Sequence, residues 1–351
     1  MFKYFIKRLI LAALSLVTIS ILVYFLIGAT GRNPISPDSF RDKAGVTAHE
    51  QWLQKIRALG LDKSIAVRFG EWVKGVFLCG DFGKIYGKAS GGSATSIPTL
   101  FFGPLKYSLL ITVPTFIIST IFGVVLGFVA GYKRGTWIDS IISVFVMFFI
   151  AVPSFILAAF ALSISDKVGL PSSFIRPEDG GYKKMIRSII MPILVMTLSS
   201  LAVLTYYTRN EVVTILQSNQ ITIARSKGMD EWEVFKKHVL RNSSIPLVAL
   251  IIPSFILLLA GSIVIESFFQ VPGSSRVIVT AVSNSEYNII MFNVLFFTLL
   301  SLLSSILVDI LYTIIDPRIR FDQTGSFKSI QIIKGIIKRK KHNSKHEVKH
   351  G

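Results

Sequence analysis

Six stretches of about 20 residues or more run through the chain with at most one charge each: 9–30, 106–131, 138–163, 188–208, 243–268 and 288–314. About 20 apolar residues in a helix cover the hydrocarbon thickness of a bilayer. Backbone polar groups inside lipid must be satisfied within their own segment, which favours helices. A soluble chain of 351 residues would break up such runs with charge. The expected fold class is therefore an all-α polytopic membrane protein with six transmembrane helices. The formal net charge of +18 would otherwise suggest nucleic acid. Here the cations lie in the loops between apolar runs, so the charge reads as a topology signal and no nucleic-acid partner is expected.

Lys3, Lys7 and Arg8 precede the first run. That run is longer than the apolar core of a cleaved signal peptide and shows no clear cleavage site, so 1–30 is read as a cytoplasmic N-terminus and a retained first helix. Residues 31–105 form a sizeable extracytoplasmic segment, with a helix expected near Ala48–Leu59 and a glycine-rich part from Gly80-Asp81-Phe82-Gly83 through Gly91-Gly92. The five-helix core occupies 106–316, and 317–351 is a basic tail. Pro153 and Pro253 predict kinks, and Gly123, Gly127 and Gly131, four apart, predict close helix packing.

Six spans bring both ends to one side. That side carries 6 Lys or Arg in 209–241 and 10 in the tail, whereas the other side's basic residues concentrate in a long segment that counts little toward orientation. Both termini and 209–241 are accordingly placed in the cytoplasm. The tail's Lys338-Arg339-Lys340-Lys341 suits anionic lipid headgroups or solvent. His342, His346 and His350 would meet a metal only if helical, and a disordered basic tail is the preferred reading. The five histidines and single Cys79 make no recognisable metal spacing. No metal site is expected, and Cys79 reads as a free thiol.

The cytoplasmic stretch 209–241 holds the strongest local signals. Residues Gln220–Ser226 read as a short helix with Arg225 and Lys227 near its end, stopped by Gly228 in a left-handed conformation. Asp230 then caps a second helix with Glu233 as its capping-box partner. Trp232, Phe235 and Val239 recur at helical spacing and predict an apolar face.

The string Ala224-Arg225-Ser226-Lys227-Gly228, with His238-Val239-Leu240-Arg241-Asn242 and Pro246 beyond it, resembles the loop of permease subunits of bacterial ABC importers. The likeness is to B-type permeases of the oligopeptide, dipeptide and nickel group. It extends through the Lys-Tyr start at Lys3, Gly80–Gly83, Gly261–Glu266 with Pro272-Gly273, Val308–Tyr312 and Asp316–Arg320. Ser275 stands where that family usually has a second glycine, and Ser285-Glu286 where Arg-Asp is common.

The resemblance implies a permease subunit of an ATP-driven importer for oligopeptides in the bacterial cell membrane, forming half of a translocation pore. Dipeptides or nickel and other metal chelates are the alternative cargo. Its implied partners are a second homologous permease, two ABC ATPase subunits and an extracytoplasmic substrate-binding lipoprotein; it implies no cofactor. The chain has no Walker A string, so ATP would be hydrolysed by partner subunits and the chain itself would not be an enzyme. Within this reading Ala224, Arg225, Ser226, Lys227, Gly228, Met229, Asp230 and Glu231 couple the permease to an ATPase. An acid at membrane depth is a functional candidate. Glu266 with Pro272 and Gly273 either lines an external gate facing a peptide's amino group or takes a span-end capping role. Asp309, counted with them as a translocation or gate candidate, is expected to pair with Arg318 or Arg320, and Asp139 to start its helix. A stand-alone secondary transporter is the rival of another class, though no internal repeat supports it.

Overall fold

The computed structural model describes residues 2–29, 33–35, 37, 47–86 and 96–315, and every regular element among them is helical. Helix α1 (Phe2–Ala29) is apolar on nearly all sides, and Leu22 and Leu26 stand exposed, as suits contact with lipid. Two short helices follow outside the first span. Helix α2 (Ala48–Ala58) starts at a reciprocal capping box, Glu50 N–H donating to Thr47 Oγ1 (3.2 Å) while Thr47 N–H donates to Glu50 Oε2 (3.0 Å). Helix α3 (Ile65–Lys74) ends in a π turn, Gly75–Cys79, stopped by Gly80 at φ +64°. The helix expected near Ala48–Leu59 is thus present, and Cys79, expected in a loop, closes a helical turn.

The core comprises α4 (Ile97–Tyr132), α5 (Trp137–Ala151), α6 (Ser154–Ser165) and α7 (Pro177–Leu216), the last broken near its start by Gly181 at φ +74°. After α7 come α8 (Asn219–Ser226) and α9 (Glu231–Val234). A π turn, Phe235–Leu240, leads from α9 without a break into α10 (Arg241–Gly261). Helices α11 (Ile263–Phe268), α12 (Ser274–Ser283) and α13 (Tyr287–Ile315) complete the order.

The predicted glycine stripe is the contact between α4 and α7. A Cβ on Gly123 would lie 2.8 Å from Leu204 Cβ, and one on Gly131 2.6 Å from Val212 Cγ1; Gly127 faces Thr208 still more closely. One turn earlier Ser200 Oγ donates to Ser119 Oγ (3.1 Å), with the partners 81 positions apart, as they are at each glycine below. A constant offset means the two helices run parallel. Small residues permit such close approach, and packing then replaces the hydrophobic drive that lipid cannot supply.

Parallel α4 and α7 require the chain between them to return across the membrane. Helices α5 and α6 do this as one span bent by 99° at Val152-Pro153, so the expected kink is a sharp break. With the five other candidate helices this makes six spans. The other proline differs: α10 runs helical through Pro253. Two spans are also longer than the apolar runs, α4 starting at Ile97 rather than 106 and α7 covering 177–216 rather than 188–208. The extra turns of α4 are apolar and pack on protein, with Ile97 and Phe101 buried, whereas those of α7 carry charged residues such as Glu178, Lys184 and Arg209. Ser96, whose Oγ accepts from Thr99 N–H, and Pro98 set the start of α4.

Helices α1 and α13 are antiparallel. Arg8 meets Asp309 at one end (2.8 Å), and Tyr24 packs with Met291 at the other. Asp309 therefore has Arg8 for a partner; Arg318 and Arg320 lie outside the described residues, as do the rest of the basic tail and the Ala89–Ser93 glycine stretch. At the Tyr24 end Leu259 of α10, Phe101 of α4 and Ile289 of α13 share one apolar cluster. The far ends of these helices, and so 209–241, share a side with the start of α1 and the end of α13.

Candidate functional site

Helices α8 and α9 form a hairpin across the ends of α4 and α7. Ile221 and Ala224 of α8 and Val234 and Val239 beyond them are buried against Val212 and Ile215 of α7, with Phe128 and Tyr132 of α4 beside them. Phe235 stands edge-on to both rings, with centroids 5.5 Å from Phe128 and 5.8 Å from Tyr132. The chain reverses at Gly228, whose φ of +81° is the left-handed stop the sequence predicts. Asp230 then accepts from Glu233 N–H at 2.6 Å and opens α9.

Of the eight sequence-predicted coupling residues, Ala224 is buried under the hairpin and Met229 half-buried, whereas Arg225, Ser226, Lys227, Gly228, Asp230 and Glu231 are exposed. Arg225 and Glu231 bind each other in a two-pronged ion pair across the Gly228 turn, Nε to Oε1 at 2.8 Å and Nη2 to Oε2 at 3.0 Å. These two charges brace the hairpin from within. A planar guanidinium fits a carboxylate in this forked geometry better than an ammonium would.

Trp232 departs from expectation. Placed by its spacing on the apolar face with Phe235 and Val239, it is 62% exposed, and Ile223 of α8 is 55% exposed. The reason is the π turn: its wider winding turns Val234 and Val239 inward and leaves Trp232 stacked on the rim of Phe235 (5.4 Å) under Lys236. The hairpin thus presents a tryptophan and an isoleucine, ringed by charge, away from the bundle.

Just above the hairpin, Arg209 of α7 grips Asp139 of α5, Nε to Oδ1 at 2.6 Å and Nη2 to Oδ2 at 2.8 Å. Asp139 also accepts from Gly135 N–H (3.0 Å) and Ser143 Oγ (3.3 Å). It does sit in the first turn of α5, as the sequence predicts, yet its side chain is only 7% exposed and its partner lies 70 positions away. Sequence reasoning missed this pair; the signal was a lone acid opening one apolar run and a lone base closing the next.

At the opposite end, Glu266, Pro272 and Gly273 are brought together. Glu266 is 2% exposed. Ser262 Oγ donates to its Oε1 (2.6 Å) and Ser275 N–H to its Oε2 (3.2 Å), so the carboxylate caps the start of α12. A Cβ on Gly273 would collide with that carboxylate and with Ser108 Oγ, which is why the turn needs glycine. Ser275 joins the same knot through Ser262 Oγ (3.2 Å). Glu266 thus caps α12 and packs against protein of its own chain. Asp309 lies at the other side with Arg8 and is no part of this knot.

Compared with known families, residues 123–321 match the model described as binding-protein-dependent transport system inner membrane component. Residues 1–93 match the corresponding N-terminal model. The chain belongs to this family of transport permeases. It is 33% identical over 342 residues to the oligopeptide transport system permease protein OppB of Mycoplasma genitalium, covering 97% of this chain and 82% of that relative. A putative peptide transport system permease protein of Brucella abortus is 33% identical over 282 residues, 80% of this chain and 88% of its own. The dipeptide transport system permease protein DppB of Lactococcus lactis is 29% identical over 321 residues, 91% of this chain and all of its own. A chain from a solved amino acid ABC transporter aligns at 16% identity with a TM-score of 0.46, covering 60% of this chain and 92% of that one.

Proposed function

We propose that the chain is the permease subunit of an ATP-driven peptide importer and that the α8–α9 hairpin is where a partner ATPase docks. The peptide assignment rests on what its relatives carry by name: oligopeptides, peptides and dipeptides. Orientation follows the basic residues, with both termini and the hairpin in the cytoplasm. A second permease and two ATPases complete the pore, and an extracytoplasmic binding protein delivers the peptide.

The observation that carries the docking reading is the form of the hairpin. Its inner face is cemented to α4 and α7, while Trp232 and Ile223 project outward within a ring of charge. An exposed tryptophan surrounded by polar residues is the anchor type that dominates protein interfaces. Because the hairpin shares its core with α7 and the Arg209–Asp139 pair ties α7 to α5, a push on Trp232 moves the ends of three spans together.

The test is the pair Trp232→Glu and Ile223→Glu in the otherwise intact transporter. Both side chains are exposed, so membrane insertion stays at the wild-type level and melting falls only by what the Trp232 stack on Phe235 contributes, about 0.5–1.5 kcal/mol. ATP-driven peptide uptake and co-purification of the ATPase are expected to fall together. Uptake at the wild-type rate in the double variant refutes docking at the hairpin, and a chain that imports peptide with no ATPase present refutes the whole reading.

A further inference from the structure

Outside the membrane, α2, α3, the end of α1, residues 81–86 and the start of α13 line an open-mouthed cavity of about 340 Å³. Two of its walls carry buried donors that find no acceptor among the described residues: Trp72 Nε1 and Arg68 Nη2. Trp72 is 6% exposed, its ring held in place by Phe69 and Tyr24. Arg68 is fixed by its guanidinium lying 4.7 Å over the ring of Tyr287 and hydrogen-bonding the Tyr24 and Tyr86 hydroxyls, which leaves Nη2 open. Both groups only donate, so whatever completes them must accept.

The remaining charge around the cavity narrows the ligand. Arg57 and Lys84 add two further cations to the wall. Its two acids have partners within the same wall: Glu71 binds a third further cation, Lys63, at 2.5 Å, and Asp81 Oδ1 accepts from Gly83 N–H at 2.9 Å, so the lining keeps an excess of positive charge. A positive cavity with a planar guanidinium and an indole N–H suits a planar or tetrahedral oxyanion. We infer that the cavity is an oxyanion site in which Arg68 and Trp72 hold a phosphate or carboxylate group. Its volume is ample for such a head group.

Three sources carry this chemistry at the outer surface: free phosphate, the phosphate of an outer-leaflet lipid, and the C-terminal carboxylate of a peptide. The site is independent of the hairpin, so its failure leaves the coupling reading untouched. The experiment uses the full chain and three probes: inorganic phosphate in detergent, phosphatidylglycerol retained in native mass spectrometry, and one peptide as free acid and as C-terminal amide. Binding of at least one probe is expected, read by ligand-dependent melting or retained mass. Arg68→Gln weakens it at least about tenfold, the ratio for a lost charge-assisted hydrogen bond.

Arg68→Gln also gives up the contact with Tyr287, so Trp72→Phe is the second variant: it keeps the ring stack and removes only the N–H. It is expected to melt like wild type without ligand and to bind the same probe several-fold more weakly. Preference for the free acid over the amide identifies a peptide carboxylate, retention of lipid identifies a headgroup, and phosphate alone identifies a free anion. Absence of binding by all three probes, or wild-type binding by both variants, overturns the site.

Discussion

Gly127→Ala should cost stability although the same change elsewhere in α4 should gain it. Alanine is the better helix former by about 0.8–1.0 kcal/mol, measured where nothing obstructs the methyl. Gly103, in the same helix, is such a place, with no atom within 4 Å of an added Cβ. At Gly127 the new Cβ falls inside the contact distance of Thr208 Cβ and 3.0 Å from Thr205 O, a side-chain stem and a backbone oxygen that cannot swing away. Helices α4 and α7 must part by about an ångström, and overpacking of this kind costs about 1–3 kcal/mol. Against the helix-forming gain, Gly127→Ala then loses up to about 2 kcal/mol while Gly103→Ala gains about 1. The assay is reversible unfolding of both variants under one detergent condition, where the gap between them cancels the common reference. The swap Gly127→Ala with Thr208→Gly returns part of the loss by giving the methyl its room. A Gly127→Ala protein as stable as Gly103→Ala refutes the parallel glycine contact.

Arg209→Met should cost about 3–5 kcal/mol by leaving the Asp139 carboxylate buried without its cation; adding Asp139→Leu should restore most of the stability, and unfolding midpoints check both. Gly228→Ala meets no atom within 4 Å, so its whole cost is the left-handed backbone, about 1–2 kcal/mol. That cost should appear as faster amide exchange confined to 219–240, with Asn intermediate; unchanged exchange refutes the turn geometry. The exposed thiol of Cys79 should react with a membrane-impermeant maleimide in intact cells, whereas Cys79→Ser with Ser226→Cys should react only after lysis. The opposite pattern inverts the topology.

The number of spans is legible in the sequence because lipid imposes a length and forbids charge, and both act on contiguous residues. The hairpin's turn is legible for a similar reason. Gly228 and the Asp230–Glu233 cap depend on residues at most four positions apart, so local chemistry decides them. Glycines 123, 127 and 131 announced a close contact but not its partner or direction. Trp232 shows where spacing fails, since a π turn shifts the register by one residue and no propensity marks it.

What remained for the tertiary structure was every choice of partner across the chain. Asp139 could have paired with any nearby base; the fold delivers Arg209 to it from 70 positions away, and brings Arg8 to Asp309 from 301. Around Glu266 the α11–α12 turn gathers the Ser262 hydroxyl and the Ser275 N–H. The outer cavity exists only because α2 and α3 fold back over the ends of α1 and α13. Sequence by itself determines which segments enter the membrane and where the chain turns, because those depend on neighbours along the backbone. Which buried charge meets which, and which donor is left waiting, depends on neighbours in space.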